Sequence, residues 1–578
     1  MIYEKNIVQK KINNIDIRFA SVYPNVYKTA MSSLGYQIIY GMVNDREDSW
    51  CERIVYPSTR SIESNSPLND FDIISFSLQY EEDYFNVLKI LKNANIPIKR
   101  TEREKNTILE NKKYPLIIAG GPCATANPLA ISDFIDIFII GEAEAILNDF
   151  LNLYKKLNNP LKEIDQFLNL NGVYISKFDN IAKRVILENM DNSYQVTKPI
   201  VVETEKKEDS EFLPVFGNSI LLNVSRACSR GCRFCMSGYL YRPLRETSLE
   251  RLFSTAEKAR DNTGLNKVTL IGAAVSDYSK IDELTEGLLN RKFQISTPSM
   301  RIESITKDTL KSLKKSGAKT ITIAPESIYS LRKSINKNIT DEEIFELVKN
   351  SLKIGFNIKL YFLIGLIGEE KEDIEKLAIL IKKINDLKYS YNKDSYNEKN
   401  NDEENTANTY NEKNTTNNIN NKKNTTNNTN DEKNSNKVYN NSIKFSINPL
   451  IPKPQTPMEW EGYDLKDIKS KIKYLRKNLK GIDIKFNSAK MGLIQYVLSC
   501  KGFEIGKLIE KSMETKVPIK EWEKYSLPYD LNDKLPWKNI DIGLNHDFLK
   551  NERKKLFKKE LTPWCEKEDC YNCGSCSK

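Results

Sequence analysis

Short apolar, β-branched runs that alternate with stretches of helical period constrain the fold of this chain more than any other feature. IDIRFASV (15–22), FDIISFSL (71–78), YPLIIAGG (114–121) and DIFIIG (136–141) have strand length, and amphipathic stretches such as 82–92 and 143–156 separate them. Strands that are apolar on both sides must be covered on both faces, so the first part of the chain is expected to be a parallel sheet between helices. Ligands of such sheets sit where the strands' carboxyl ends open into loops. Those loops are 23–25, 78–80, 120–122 and 141–142. Gly120, Gly121 and Gly141 either let a large flat ligand or a phosphate approach the backbone there, beside Glu142, or simply make tight turns. The GxGxxG fingerprint is absent, which argues against a nicotinamide or flavin domain.

Residue counts narrow the chemistry. A chain of 578 residues suffices for about three or four domains. It holds one histidine, His546, so Ser-His-Asp and Cys-His systems and multi-histidine metal sites are almost excluded. His546 itself is expected at the surface or at a cap. Seven of the ten cysteines fall in two tight clusters, a pattern of metal ligation in a reducing compartment; Cys51, Cys123 and Cys500 stand apart and are expected to be buried apolar thiols. The N-terminus MIYEKNIVQKK has no apolar core of signal-peptide length, and the longest apolar run, 360–367, is far short of a membrane span, so a cytoplasmic protein without membrane contact is expected. About +7 of the net charge of +10 lies in residues 451–578 (26 basic, 19 acidic), too thin to call for nucleic acid but open to an acidic partner. Between Tyr391 and Asn440, 19 of 50 residues are Asn; that stretch cannot bury enough surface to offset its chain entropy and is expected to be a disordered insertion.

Residues 219–238, SILLNVSRACSRGCRFCMSG, place Cys228, Cys232 and Cys235 on one loop after an apolar strand, with Phe234 before the last cysteine. Three thiolates so spaced can hold three irons of a [4Fe-4S] cluster and leave the fourth for a chelating substrate. A zinc site would need a fourth ligand and would ordinarily show paired CxxC knuckles.

This segment resembles the radical S-adenosylmethionine (SAM) superfamily, whose cluster motif is CxxxCxφC with φ aromatic. The runs 267–272, 295–302, 319–327, 358–366 and 444–452, alternating with helical stretches, continue the resemblance. With the cluster strand they imply six βα repeats, the partial TIM-like (β/α)6 barrel of that superfamily. FSLQYEEDY (76–84), AGGPCATANP (119–128), IIGEAEA (139–145), NPLIPKPQTPMEW (448–460) and PWKNIDIG (536–543) are similar to the branch with an N-terminal cobalamin-binding domain. The resemblance implies an α/β protein: a flavodoxin-like (Rossmann-like) cobalamin domain over 1–200, the barrel over 215–390 and 441–455, the insertion over 391–440, and a C-terminal domain with a Cys-rich tail over 456–578. The DxHxxG motif of histidine-ligated cobalamin proteins is missing. Carried over by position, Cys228, Cys232 and Cys235 ligate the cluster. Phe234, Gly272 and Asp277 lie near SAM, the last two in GAAVSD where relatives carry a GGE-like segment that meets the methionine amine. Arg301 and Glu326 approach the SAM carboxylate and ribose, and Gly365 the adenine. Gly120, Gly121, Gly141 and Glu142 line the cobalamin site.

Cys565, Cys570, Cys573 and Cys576 close the chain with a full ligand set for zinc, a mononuclear iron or a second iron-sulfur cluster; a redox-active tail or disulfides are the alternatives. The resemblance implies reductive cleavage of SAM by the reduced cluster and, with methylcobalamin over the same cavity, C-methylation of an unactivated carbon. An electron donor such as ferredoxin or flavodoxin is then a necessary partner, and the substrate is a protein or a small molecule. The competing readings are a methylthiotransferase acting on tRNA or a ribosomal protein, which needs a further N-terminal cysteine cluster, and a non-catalytic cobalamin or iron-sulfur binding protein.

Overall fold

The computed structural model describes residues 3–110, 112–203, 212–297, 300–388, 442–565 and 570–576, so the Asn-rich segment 391–440 lies outside the described residues. Six strands form the first sheet: β1 Ile17–Tyr23, β2 Ser49–Val55, β3 Ile73–Ser77, β4 Leu116–Gly120, β5 Ile137–Ile139 and β6 Val173–Tyr174, in spatial order β2-β1-β3-β4-β5-β6. All pairs are parallel except β5 with β6. The order of the first five is that of flavodoxin-like folds, whose ligands bind at the switch point between β1 and β3. Alternate residues feed two separate cores, Phe19, Ile73 and Ile118 one and Val22, Ile74 and Phe76 the other, which is why these strands read as apolar throughout.

The edge strand β2 escapes the apolar pattern because it carries Glu52 and Arg53. Both are buried all the same: Arg53 bonds Glu4 and Glu63, each at 2.6 Å, and Glu52 takes Arg18 at 2.8 Å. A buried charge in such a position is tolerable only when its partners are in place.

The second unit has seven parallel strands where the sequence suggests six. β7 Ile220–Asn223, β8 Lys267–Ile271 and β9 Gln294–Ser296 form one sheet; β10 Thr320–Glu326, β11 Asn357–Ile364, β12 Ile443–Pro449 and β13 Ile484–Phe486 form the other. Among the described residues the third run, expected over 295–302, pairs as far as Ser296. Past it, Met300 N donates to Thr322 O at 3.1 Å and bridges the two sheets. β13 is a short edge strand with an exposed Lys485 at its centre, too brief to be read from pattern.

Residues 456–578 are woven into both units. They supply β13 to the barrel sheet, and Ile540–Asp541 pair with Ala182–Lys183 of the first part. Buried Glu81 takes Lys453 and, from Gln495 Nε2, a hydrogen bond at 3.0 Å, and one core contains Leu78, Leu222, Phe362, Leu498 and Trp537 alike. Four helices matter below: α1 Leu34–Asn44, α2 Leu147–Tyr154, α3 Leu465–Asn478 and α4 His546–Lys558, the last of which starts from the N-cap Asn545. Among the described residues no helix is long and apolar enough to cross a membrane.

Two of the quoted phrases meet at Glu459, whose Oε2 accepts from Trp537 Nε1 at 2.9 Å and from Gln455 N at 3.0 Å while Oε1 has no hydrogen-bond partner. The lone His546, at the first turn of α4 and half exposed, stands 3.6 Å from it and packs on Trp460. Burial pushes the Glu459 carboxyl from 4.5 up to about 7, against the pull of the Trp537 and Gln455 bonds. A raised folded-state pKa means that stability is fully present below the unfolded value and is lost as pH rises through the folded one. Glu459→Gln keeps both acceptor bonds and removes the titration. Relative to the wild type it is expected to gain about 3 kcal/mol between pH 4.5 and pH 8. Thermal unfolding of both proteins across that range checks this; parallel pH profiles would contradict it.

Candidate functional site

The cluster loop leaves β7 at Val224 and is held from several sides. Ser225–Arg226 pair with Arg245–Glu246, and Glu142 and Glu144 reach across from the β5 end of the first sheet to grip Arg226. Glu142 also binds Arg245 at 2.8 Å; against the upward push of burial these arginines hold its carboxyl below the usual range. Gly231 has φ of +66°, and a Cβ there would come within 3.0 Å of the Tyr571 ring. Both Cys228 and Cys235 have thiols pushed up by burial, Cys235 to about 12, and the charge of Cys232 adds to the push on each while Arg301 opposes it. The three therefore share one electrostatic neighbourhood, and a cation at that place is what would let all of them ionise. Among the described residues no three Cys, His, Asp or Glu close on a single metal-ion position.

Arg301 stands beside the thiols. Its Nη1 lies 3.4 Å from Cys232 Sγ and its Nη2 donates to Glu303 at 2.7 Å. Arg301 Nε and Glu303 Oε2 are buried and have no hydrogen-bond partner. A donor and an acceptor left open at a buried site call for a ligand. Asp277 is less open than its position suggested: both its oxygens bind Arg230 of the loop at 2.9 Å, and Ser304 bonds it too. Glu326, at the end of β10 with φ of +70°, pairs with Lys337 at 3.0 Å. Gly365 N donates to Glu369 at 2.6 Å, and Phe234 packs half-buried on the core.

A cleft of about 430 Å³ opens between the two units. One end is walled by Gly120, Gly121, Gly141 and Gln79 at the strand ends, and by Ile38, Ile39, Leu147 and Phe150 of α1 and α2; the other reaches Arg226, Ala227 and Gly272 beside Cys228. Of the residues assigned to SAM by position, Gly272 alone lines it. Tyr23–Asn25 does not line it; Asn25 instead donates to Asp83 at 2.7 Å.

All three strand-end glycines line the cleft, and their backbones differ. Gly121 and Gly141 have φ of +107° and +119°, and a Cβ would lie 2.7 Å from Leu78 O and 2.1 Å from Val185 O; the backbone itself demands glycine. Only Gly120, whose Cβ would meet nothing nearer than 3.7 Å, leaves room for a ligand rather than for the chain. Glu142 lines the cleft, but its carboxylate serves Arg245 and Arg226.

Pattern reading missed the C-terminal grip on the loop. Cys565 N donates to Ser229 O at 3.2 Å, Tyr571 OH to the same oxygen at 2.9 Å, and Arg230 stacks 3.4 Å over Trp564. Arg233, between the second and third cysteines, is fully buried and binds Glu552 of α4 at 3.1 Å. Nothing in local sequence marks these pairings; only Trp564-Cys565 and Tyr571-x-Cys573 in a tail already noted for its cysteines hint at them. Of that tail, Cys565 and Cys573 are buried and Cys570 and Cys576 exposed, so the four are not gathered around one point in this structure. Cys51, Cys123 and Cys500 are buried as expected.

Residues 35–175 match the family of radical SAM proteins, N-terminal, and residues 222–381 the radical SAM superfamily. An uncharacterized protein of Methanocaldococcus jannaschii is 29% identical over 92% of this chain and 99% of its own length. An uncharacterized methyltransferase of Pyrococcus horikoshii is 24% identical over 53% of this chain and 62% of its own. Among solved structures, the cobalamin-dependent S-adenosylmethionine radical enzyme OxsB with aqua-cobalamin bound matches at 17% identity and a TM-score of 0.47, over 63% of this chain and 52% of that one. The radical S-adenosylmethionine methyltransferase TsrM from Kitasatospora setae, with cobalamin and a [4Fe-4S] cluster, matches at 12% identity and a TM-score of 0.45, over 64% of this chain and 73% of that one. The cysteine loop at the head of a parallel barrel and the two family matches agree: this chain is an enzyme of the radical SAM superfamily.

Proposed function

We propose that the protein is a cobalamin-dependent C-methyltransferase that acts at an unactivated carbon. The observation that carries this reading is the single cleft running from the strand ends of a flavodoxin-like sheet to the residues flanking Cys228. A corrin seated at Gly120 would share the cleft with Gly272, and the apolar walls of α1 and α2 suit an uncharged aromatic base of its nucleotide tail. The one histidine lies outside the cleft, so this chain would leave cobalt without an imidazole ligand.

When bound, the cluster and SAM supply hydrogen-atom abstraction from carbon, and a methylated corrin supplies the methyl group. The residues of the chain hold and orient. Cys228, Cys232 and Cys235 would bind three irons; Arg301 Nε would donate to the SAM carboxylate and Glu303 Oε2 would accept from its amine, with Arg301 Nη1 steadying Cys232. Asp277 pins the loop through Arg230, and Glu142 and Glu144 pin the sheet to the barrel through Arg226. Glu326 and Gly365 close the ribose and adenine side. No step is derived through a metal at the tail cysteines, which do not converge here. A methylthiotransferase finds no support: Cys51 lies in β2, Cys123 follows β4, and both are buried without a cysteine cluster among the described residues. A cytoplasmic location accords with the reading.

Anaerobic reconstitution with iron and sulfide, with and without hydroxocobalamin, followed by product analysis, tests this. Retained cobalamin together with SAM-derived 5′-deoxyadenosine and S-adenosylhomocysteine is expected; cleavage without cobalamin retention would refute methyl transfer. In the same preparations Arg301→Gln is expected to weaken SAM binding about ten-fold to a hundred-fold, the worth of a charge-assisted bond, with the cluster still assembled. Glu326→Gln should show a smaller loss. Unchanged SAM affinity in both would show that neither meets SAM.

A further inference from the structure

We propose that the outward face of α4 is the docking surface for the one-electron donor, a small acidic iron-sulfur or flavin protein; this rests on the cluster reading above. The inward face of α4 is tied to the cluster loop: Glu552 binds the buried Arg233, which sits between Cys232 and Cys235 in the chain. After α4, Cys565 N and Tyr571 OH both donate to Ser229 O of the same loop. α4, Cys565 and Tyr571 thus pack on the cluster loop, and none of their residues lines the cleft, so a donor approaching α4 leaves the cleft open.

The opposite face has the chemistry of a transient docking site. α4 carries five basic residues, Lys550, Arg553, Lys554, Lys555 and Lys558, against two acidic ones, and buried Glu552 is one of the two. Lys554 and Lys558 are exposed, and Phe557 between them is 51% exposed. Among the described residues Lys550 and Lys554 have no carboxylate within ion-pair distance. An exposed aromatic ringed by cations fits a partner with acidic residues around an apolar prosthetic-group edge, and such fields act mainly on the rate of encounter. The transfer is one electron: the donor is oxidised by one, the cluster reduced by one, and no bond or proton need move. α3 is richer still in charge, with six basic residues against one acidic, but it packs through Ile468 against Gly365 and among the described residues no bond joins it to the cluster loop. It therefore serves as the control for charge alone.

The experiment follows cluster bleaching by stopped flow in the reconstituted full chain, with fully reduced flavodoxin as donor, and with titanium(III) citrate as a small reductant that needs no docking. The double variant Lys554→Glu, Lys558→Glu is expected to lose about ten-fold in the second-order rate with flavodoxin at low salt, to approach the wild type at high salt, and to match it with titanium(III) citrate. Lys469→Glu, Lys473→Glu on α3 should leave the flavodoxin rate within about two-fold. An unchanged rate in the α4 variant, or an equal fall in the α3 variant, overturns the proposal. So does bulk tRNA retained by the wild type and lost by the α4 variant with reduction rates unchanged, which would assign the face to RNA. A wild-type preparation without iron-sulfur absorption is distinguishable from all of these and refutes the cluster reading itself.

Discussion

Alanine at Cys228, at Cys232 or at Cys235 is expected to remove the cluster and the cleavage of SAM together, to the background of protein-free controls, whichever of the three is changed. In the proposed cluster each thiolate would hold a different iron, so none could deputise for another. The local electrostatics sharpen the point. Burial and its neighbours push the Cys235 thiol to about 12, so without iron it stays protonated at neutral pH, and the cluster must supply the positive charge that makes it a ligand. Alanine at buried Cys51 or Cys500 should instead cost about 1 kcal/mol of packing and leave iron, sulfide and activity in place. Iron and sulfide analysis with 5′-deoxyadenosine measurement separates the two groups. Cleavage at wild-type rate in any Cys228, Cys232 or Cys235 variant would remove the assignment.

The legible parts of this chain are those in which a local pattern and a chemical need coincide. The apolar runs ending in Tyr23, Ser77, Gly120 and Ile139 announce a parallel sheet because each must be covered on both faces. The cysteine spacing announces a cubane because few other arrangements need three thiolates on one loop. What stays hidden is long-range. Arg53 in β2 reads as a break in a strand until Glu4 and Glu63 are brought to it from other segments. Arg226 reads as a residue of the cysteine motif until Glu142 and Glu144 arrive from more than eighty residues away to make it the hinge pin of the cleft. Glu142 lines the cleft and its charge also joins two units, a link that no local pattern shows.

The same distinction governs the glycines, and it makes Gly120 the decisive position for cobalamin. Gly120→Val places a β-branched side chain at the end of a strand, where such residues are favoured. No clash stands in its way, since a Cβ there would meet Ile139 no closer than 3.7 Å and the backbone is not in the left-handed region. Gly120 lines the cleft, so the added isopropyl group would take up volume at its wall. Crowding a fitted site by that much costs about 1–3 kcal/mol, so cobalamin affinity is expected to fall about ten-fold to a hundred-fold while cluster content is kept. Gly121→Ala is the contrast. Its methyl would meet Leu78 O at 2.7 Å with φ at +107°, so the loss should appear first as a lowered Tm, with or without cobalamin. Equilibrium titration of both variants with hydroxocobalamin, beside thermal scans without it, tells ligand from fold. If Gly120→Val binds cobalamin as the wild type does, the corrin does not sit at the strand ends of this sheet, and the cleft serves the substrate instead.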